Sequence, residues 1–127
     1  PKINISTREE STYFYDLLSN SKLIIISTDY TTNKQCFLLN HPTLLLWDNE
    51  YFKIRKETKK YYDQLYEAGI LFFSSELCAQ KVNLIEKDPW TWWESEKVQK
   101  AKNDYCNYLC RDSNDLPFEI SKLIKEL

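Results

Sequence analysis

The residues best able to recognise another molecule are three indoles and three carboxylates in one short run: Asp88, Trp90, Trp92, Trp93, Glu94 and Glu96. Tryptophan supplies a large contact area with few rotatable bonds, and carboxylates give such a surface a polar rim. Successive helical residues lie about 100° apart, so Trp92 and Trp93 cannot point the same way, and we expect one ring near the surface. These six residues are the predicted partner-binding patch, and the predicted partner is another protein.

The same run also has a purely structural interpretation. Thr91 and Glu94 match the S/T-x-x-E capping box, which begins a helix. Acidic side chains in the first turn stabilise the positive end of the helix dipole, and the indoles then pack in the core. The interpretations differ in whether an indole is exposed.

A second candidate is a basic block that consists of Lys53, Arg55, Lys56, Lys59 and Lys60. In one helix Lys53, Lys56 and Lys60 would share a face that could follow a phosphate backbone. This is the alternative function, a nucleic-acid-associated protein. The same pattern is typical of the solvated face of a surface helix.

Four cysteines and one histidine could in principle supply metal ligands or a nucleophile and its base: Cys36, His41, Cys78, Cys106 and Cys110. There is no C-x-x-C pair and the residues are scattered, so we predict free thiols, no metal and no cofactor. Carboxylates at i+1 or i+2 do not face one another on a helix. No catalytic residue is predicted, and a small enzyme whose site is dispersed in sequence, with His41 as its base, is the second alternative.

Composition excludes several classes of function. Gly69 is the single glycine, which excludes the P-loop and the Rossmann fingerprint as sequence patterns. A formal charge of -2 removes a global electrostatic case for nucleic acid. The apolar runs are much shorter than the ~20 residues of a membrane helix, so no membrane association is predicted. The N-terminus lacks the pattern of a secretion signal, and we expect a cytoplasmic protein of undetermined oligomeric state.

The first half of the chain must supply most of the sheet. Residues 2–6 alternate like a strand, and Ser6 with Glu9 would begin a helix that ends near Leu18. Residues 22–28 and 35–39 are apolar runs separated by turn formers, which predicts a hairpin. Asn40-His-Pro42 then turns the chain into residues 43–47. The prediction is a three-stranded antiparallel meander.

The second half is predicted to be mainly helical, with helices at 51–68, after Ser74 or Ser75, after the break at Asp88-Pro89, and from Pro117. Gly69 should end the first of these in the left-handed conformation. Residues 70–73 could add a strand.

These expectations combine into one α+β domain over residues 1–127, with an antiparallel sheet of about three to five strands covered by four to five helices; a mostly helical fold is the alternative. The predicted function is that of a non-enzymatic protein-binding domain of the inhibitor or immunity type. It would engage its target through the aromatic and acidic run around Trp92.

Overall fold

The computed structural model describes residues 14–27, 31–48 and 54–110. Within these ranges six helices and three short strands follow one another. They are α1 (Phe14–Ser19), β1 (Ile24–Ile26), α2 (Thr31–Leu38), β2 (Thr43–Leu46), α3 (Lys59–Glu67), β3 (Leu71–Phe72), α4 (Ser75–Ile85), α5 (Pro89–Trp93) and α6 (Glu96–Leu109). The expected mixture of helix and strand is present. The strand at 2–6, its capping box and the helix from Pro117 lie outside the described residues.

The sheet is parallel, so the predicted antiparallel meander is wrong. The strand order is β1-β2-β3, and β2 pairs in parallel with both neighbours. Ile26 lies opposite Leu45, and Leu46 lies opposite Phe72. Parallel neighbours need a crossover connection. The described part of that connection is α2 between β1 and β2, and α3 between β2 and β3.

The middle strand is buried on both faces, which explains the parallel arrangement. Leu45 belongs to the large core cluster on the side of α2, α3 and α6, whereas Leu44 belongs to a smaller cluster with Cys78 and Ile85 of α4. Strands covered by helices on both faces have nearly continuous apolar sequences, and alternation marks a half-exposed antiparallel strand. The apolar run at 43–47 is unbroken, as is typical of a strand that is covered on both faces.

The second strand of the predicted hairpin is in fact helix α2. Asn33, Cys36 and Phe37 follow one helical face and are all buried. The buried amide is satisfied in part by Tyr105 of α6, because Asn33 Nδ2 donates to its hydroxyl oxygen at 3.1 Å. The apolar residues alone did not show this helical spacing, because the core residue Asn33 is polar. The turn-forming residue types before residue 35 favoured a hairpin instead.

Both crossover helices end in the same way, just before a strand. Asn40 follows α2 with φ 54°, and Gly69 follows α3 with φ 77°. The next amide in each case bonds back five residues: His41 N to Cys36 O at 2.9 Å, and Ile70 N to Leu65 O at 2.9 Å. This is the Schellman pattern, for which glycine and asparagine are the preferred left-handed residues. The predicted role of Gly69 is confirmed.

Several predicted helix boundaries need correction. The helix expected from residue 51 begins at Lys59, and residues 54–58 form an irregular stretch and a turn. The capping box of Thr91 and Glu94 is not formed: Asp88 caps α5, and α6 begins separately after Ser95. Proline at the first position of α5 favours the earlier start.

Other helical expectations agree with the structure. Ser74 caps α4 by accepting a hydrogen bond from Leu77 N at 3.3 Å. In the described ranges no helix combines the length and apolar composition needed to cross a bilayer.

Candidate functional site

The parallel sheet brings three strand ends to one edge. Ser27 follows β1, Asp48 comes two residues after β2, and Ser74 comes two residues after β3. Ligands of open α/β sheets bind outside the carboxyl ends of the strands. The chain continues from the first two strands into residues 28–30 and 49–53, which are outside the described residues. This carboxyl edge, defined by Ser27, Asp48 and Ser74, was not identified from the sequence because the strand directions were wrong.

A groove of about 330 Å³ lies at the β3 end of the carboxyl edge. Its walls include Tyr66, Phe73, Ser74 and Leu77. The Tyr66 and Phe73 rings stack with centroids 6.0 Å apart and planes inclined by 29°. Apolar and aromatic walls with a few polar groups are typical of small-molecule sites, whose volumes begin near ~300 Å³. We call this feature the edge groove.

The Ser74 hydroxyl in the lining of the edge groove is bonded to an exposed carboxylate, that of Glu76, which is outside the lining. Ser74 Oγ donates to Glu76 Oε2 at 3.0 Å, next to the first turn of α4. A backbone hydrogen bond of Glu76, and then this bond from Ser74, lower the pKa of the Glu76 carboxyl. A carboxylate can accept hydrogen bonds from hydroxyl or amine groups of a substrate. The groove therefore combines aromatic contact area with a hydroxyl that is bonded to a neighbouring carboxylate.

The tryptophan run is divided between core and surface. Trp93 is fully buried, and its indole Nε1 donates to Asn40 Oδ1 at 2.9 Å. Trp92 is half-buried with the Lys81 ammonium 4.8 Å from its ring centroid. Trp90 is 41% exposed and meets His41 edge-on at 6.0 Å between centroids. One indole is exposed, as expected, and it is Trp90; Trp92 is only partly exposed.

The carboxylates of this run either cap a helix or are exposed to solvent. Asp88 accepts from Thr91 N at 3.3 Å and from the Thr91 hydroxyl. These bonds, the hydroxyl first, lower the pKa of the Asp88 carboxyl. Glu94 ends α5, and Glu96 begins α6; both are exposed. The six predicted residues therefore do not form one continuous face.

The basic block does not form the predicted helical face. Lys53 lies outside the described residues, and Arg55 with Lys56 precedes α3. Lys59 pairs with Asp63 at 2.7 Å, one turn along the helix. Lys60 lies 4.9 Å from the centroid of Tyr61. Only two of the five cations therefore lie in a described helix.

The cysteines are free thiols, and two of them interact. Cys36 and Cys78 are buried in separate clusters. The hydrogen bond between Cys106 and Cys110 raises the pKa of the Cys106 thiol and lowers that of Cys110, with burial acting upward on both. Over the described ranges no three His, Cys, Asp or Glu side chains are grouped so that they could hold a metal ion.

His41 is buried in a structural position. Its Nε2 lies 2.7 Å from Ser21 O, and its Nδ1 lies 3.0 Å from Pro42 O. Both ring nitrogens therefore face carbonyl oxygens next to the amino ends of β1 and β2. The ring joins these two segments, at the edge of the sheet opposite to the carboxyl edge.

Asn40 is the centre of a hydrogen-bond cluster that the sequence did not reveal. Its Oδ1 accepts from Trp93 Nε1, from Lys102 Nζ at 2.8 Å and from Gln99 Nε2 at 3.2 Å. Lys102 is only 7% exposed, and burial lowers the pKa of its ammonium, although the nearby Cys106 opposes the shift. We call these four residues the Asn40 cluster. A sequence signal was available only in Asn40 itself, as a residue that tolerates the left-handed conformation.

Comparison with known proteins places the chain in a family. The model of the LIC12162 family of transferases matches residues 1–127, so the chain belongs to that family. No curated protein and no solved structure matches the chain.

The pKa shift of Lys102 predicts a pH dependence of stability. Its folded pKa lies below the unfolded value, so the native state holds fewer protons between the two values and stability rises with pH there. Below the folded pKa the desolvated ammonium opposes folding. The variant K102M lacks this term, so its free energy of unfolding, minus that of the wild type, should fall as pH rises toward the ordinary lysine value.

Urea titrations at several pH values measure this difference, and K100M, which removes an exposed lysine from the same helix, is the control. A K102M difference that stays level or grows over the alkaline range would show that the native state does not disfavour the charged amine.

Proposed function

We propose that this chain forms part of a transferase and that its edge groove binds one of the transfer substrates. Membership in the transferase family supports an enzymatic role. The observation that carries the location is the parallel sheet, because it gathers the ends of β1, β2 and β3 at one edge. Enzymes with open parallel sheets use this edge for their ligands.

The chemistry of the groove fits a substrate that has an apolar or planar part and a hydrogen-bond donor. Tyr66, Phe73 and Leu77 offer contact area to the first part. Ser74 in the lining is bonded to the exposed Glu76 carboxylate, which would accept from a hydroxyl or amine group that extends beyond the groove. In a transfer reaction such a carboxylate orients the accepting group, and it acts as a general base where it reaches the proton. Its lowered pKa favours the first role, since the carboxyl is a weak base.

A matched pair of substitutions on α4 tests this location. Leu77 lines the edge groove, whereas Leu84 lies two turns along the same helix; both side chains are exposed. The variant L77D places a charge in the groove, so binding of the substrate should weaken at least about tenfold, which corresponds to about 1.4 kcal/mol. L84D should bind as the wild type does.

The measurement is a nuclear magnetic resonance titration with activated donors of several transferase classes: nucleoside diphosphate sugars, coenzyme A thioesters and S-adenosylmethionine. The amide signals of Phe73, Ser74 and Leu77 should shift with at least one donor. Shifts confined to the opposite edge, around His41, or no shifts with any donor would refute the proposed site.

A second candidate function is protein binding through Trp90. It is favoured by the exposed indole, which lies next to exposed acidic residues in the sequence. Asp88 and Glu94 flank the ring in sequence, and Trp90 keeps 41% of its surface exposed. This is a smaller patch than the sequence suggested, because Trp93 is in the core. Its role as an inhibitor or immunity surface remains a proposal on that reduced basis.

Two tryptophan variants separate binding from folding. W90A removes an exposed ring, so we expect a loss of stability of about 1 kcal/mol or less, and loss of a partner captured by the wild-type chain. W93A opens a cavity in the core and should cost about 3–5 kcal/mol. Chemical unfolding and affinity capture measure the two effects, and L84A is the control for loss of an exposed apolar side chain. If W90A captures the same proteins as the wild type and L84A do, the Trp90 surface is not a docking site.

A further inference from the structure

A second cavity lies between α3 and α6, separate from the edge groove. Its volume is about 350 Å³, and its lining consists of Lys60, Tyr61, Gln64, Asp104, Asn107 and Tyr108. Residues 60, 61 and 64 occupy the flank of α3 opposite to Tyr62 and Tyr66, as the 100° spacing of a helix requires. The two cavities therefore open on different sides of α3. We call this one the α3–α6 cavity.

Two tyrosines form its aromatic wall. The rings of Tyr61 and Tyr108 are nearly parallel, with centroids 4.6 Å apart and planes inclined by 22°. Tyr61 is held between helices and also contacts the Lys60 ammonium. Tyr108 remains 45% exposed, so part of its ring is open to another molecule. An aromatic ring presented in this way can contact the C–H face of a ligand ring or stack on a planar ring.

The amide of Gln64 gives an independent reason to expect a ligand with hydrogen-bond donors. Its Oε1 is buried and has no hydrogen-bond partner among the described residues. A buried unsatisfied acceptor costs about 1–3 kcal/mol. Rotation of the terminal amide toward the adjacent cavity would let a donor in the cavity satisfy this oxygen.

The remaining lining groups supply acceptors and donors with little net charge. Asp104 uses Oδ2 to bind the Lys100 ammonium at 2.6 Å, which leaves its Oδ1 as a further acceptor. Asn107 offers both an acceptor and donors, and Lys60 offers donors. One cation and one anion lie in the lining itself. A neutral ligand with several groups that both donate and accept fits this set better than a phosphate or an apolar molecule.

We infer that the α3–α6 cavity binds a neutral ring compound with several hydroxyl groups. One face of the ring lies against Tyr108, a hydroxyl donates to Gln64 Oε1, and further hydroxyls bind Asp104 and Asn107. Two sources share this chemistry: a sugar, and the ribose of a nucleoside. The site is independent of the edge groove, so either proposal can fail without the other.

Saturation-transfer nuclear magnetic resonance tests the inference with two sets of probes. The first set is the methyl glycosides of glucose, galactose, mannose and N-acetylglucosamine, and the second set is uridine and adenosine. We expect saturation of the ring protons of at least one probe. Glycoside binding identifies a sugar site. Binding restricted to nucleosides, with transfer to the ribose protons, identifies the ribose as the source.

Two variants and one matched control locate the binding. Y108A removes the exposed aromatic face, and Q64L removes the unpaired acceptor. Each should raise the dissociation constant of the bound probe at least tenfold. L84A removes an exposed side chain that lines neither cavity, and it should leave the dissociation constant unchanged. Q64L decides the outcome if Y108A does not fold. Absence of transfer to every probe, transfer to base protons alone, or unchanged binding by the folded variants overturns the inference.

Discussion

Burial of β2 on both faces is the constraint on which the rest of the structure depends. Leu44 and Leu45 are consecutive and fully buried, so their side chains enter two different apolar clusters. Full burial of a leucine side chain contributes about 1.5–3 kcal/mol to the stability of the fold. Burial of both side chains requires helices on both sides of the strand. Helices in the crossovers supply one layer and α4 supplies part of the other. Parallel strands follow from those crossovers, and a common carboxyl edge follows from parallel strands.

The two edges of the sheet differ in how their polar groups are used. At the amino edge Asn40 binds Trp93, Gln99 and Lys102, and thereby joins the end of α2 to α5 and α6. His41 contacts carbonyl oxygens there with both ring nitrogens. These side chains therefore serve the packing of the fold. At the carboxyl edge Ser27 is exposed, and the edge groove opens beside Ser74. Polar groups with structural roles thus lie at the amino edge, and the proposed ligand site lies at the carboxyl edge.

Sequence reasoning succeeded where a local signal has one physical meaning. Gly69 ended a helix because its left-handed conformation suits glycine, and Ser74 capped α4 because its hydroxyl satisfies a free amide. It failed at α2, where buried Asn33 is paired with Tyr105, 72 residues away in the chain. No local pattern shows such a partner. The direction of the strands was wrong for a related reason, since the apolar run at 43–47 was not interpreted as burial on both faces.

The candidate sites were less predictable than the elements. One indole of the tryptophan run is exposed, but which one depends on tertiary contacts such as the bond from Trp93 to Asn40. The edge groove requires the strand order, and the α3–α6 cavity requires the packing of two helices that are about 40 residues apart. The spacing of residues in the sequence shows neither the strand order nor this helix packing. Tyr61 and Tyr108 each occur in ordinary amphipathic helices, and only their contact makes them notable.

Nuclear Overhauser contacts between backbone protons in solution test the direction of the strands. The parallel sheet predicts contacts between β1 and β2 in the register that places Ile26 opposite Leu45, together with helical i to i+3 contacts from Thr31 to Leu38. Antiparallel contacts between residues 22–28 and 35–39 would contradict it, because the strand ends would then no longer gather at one edge.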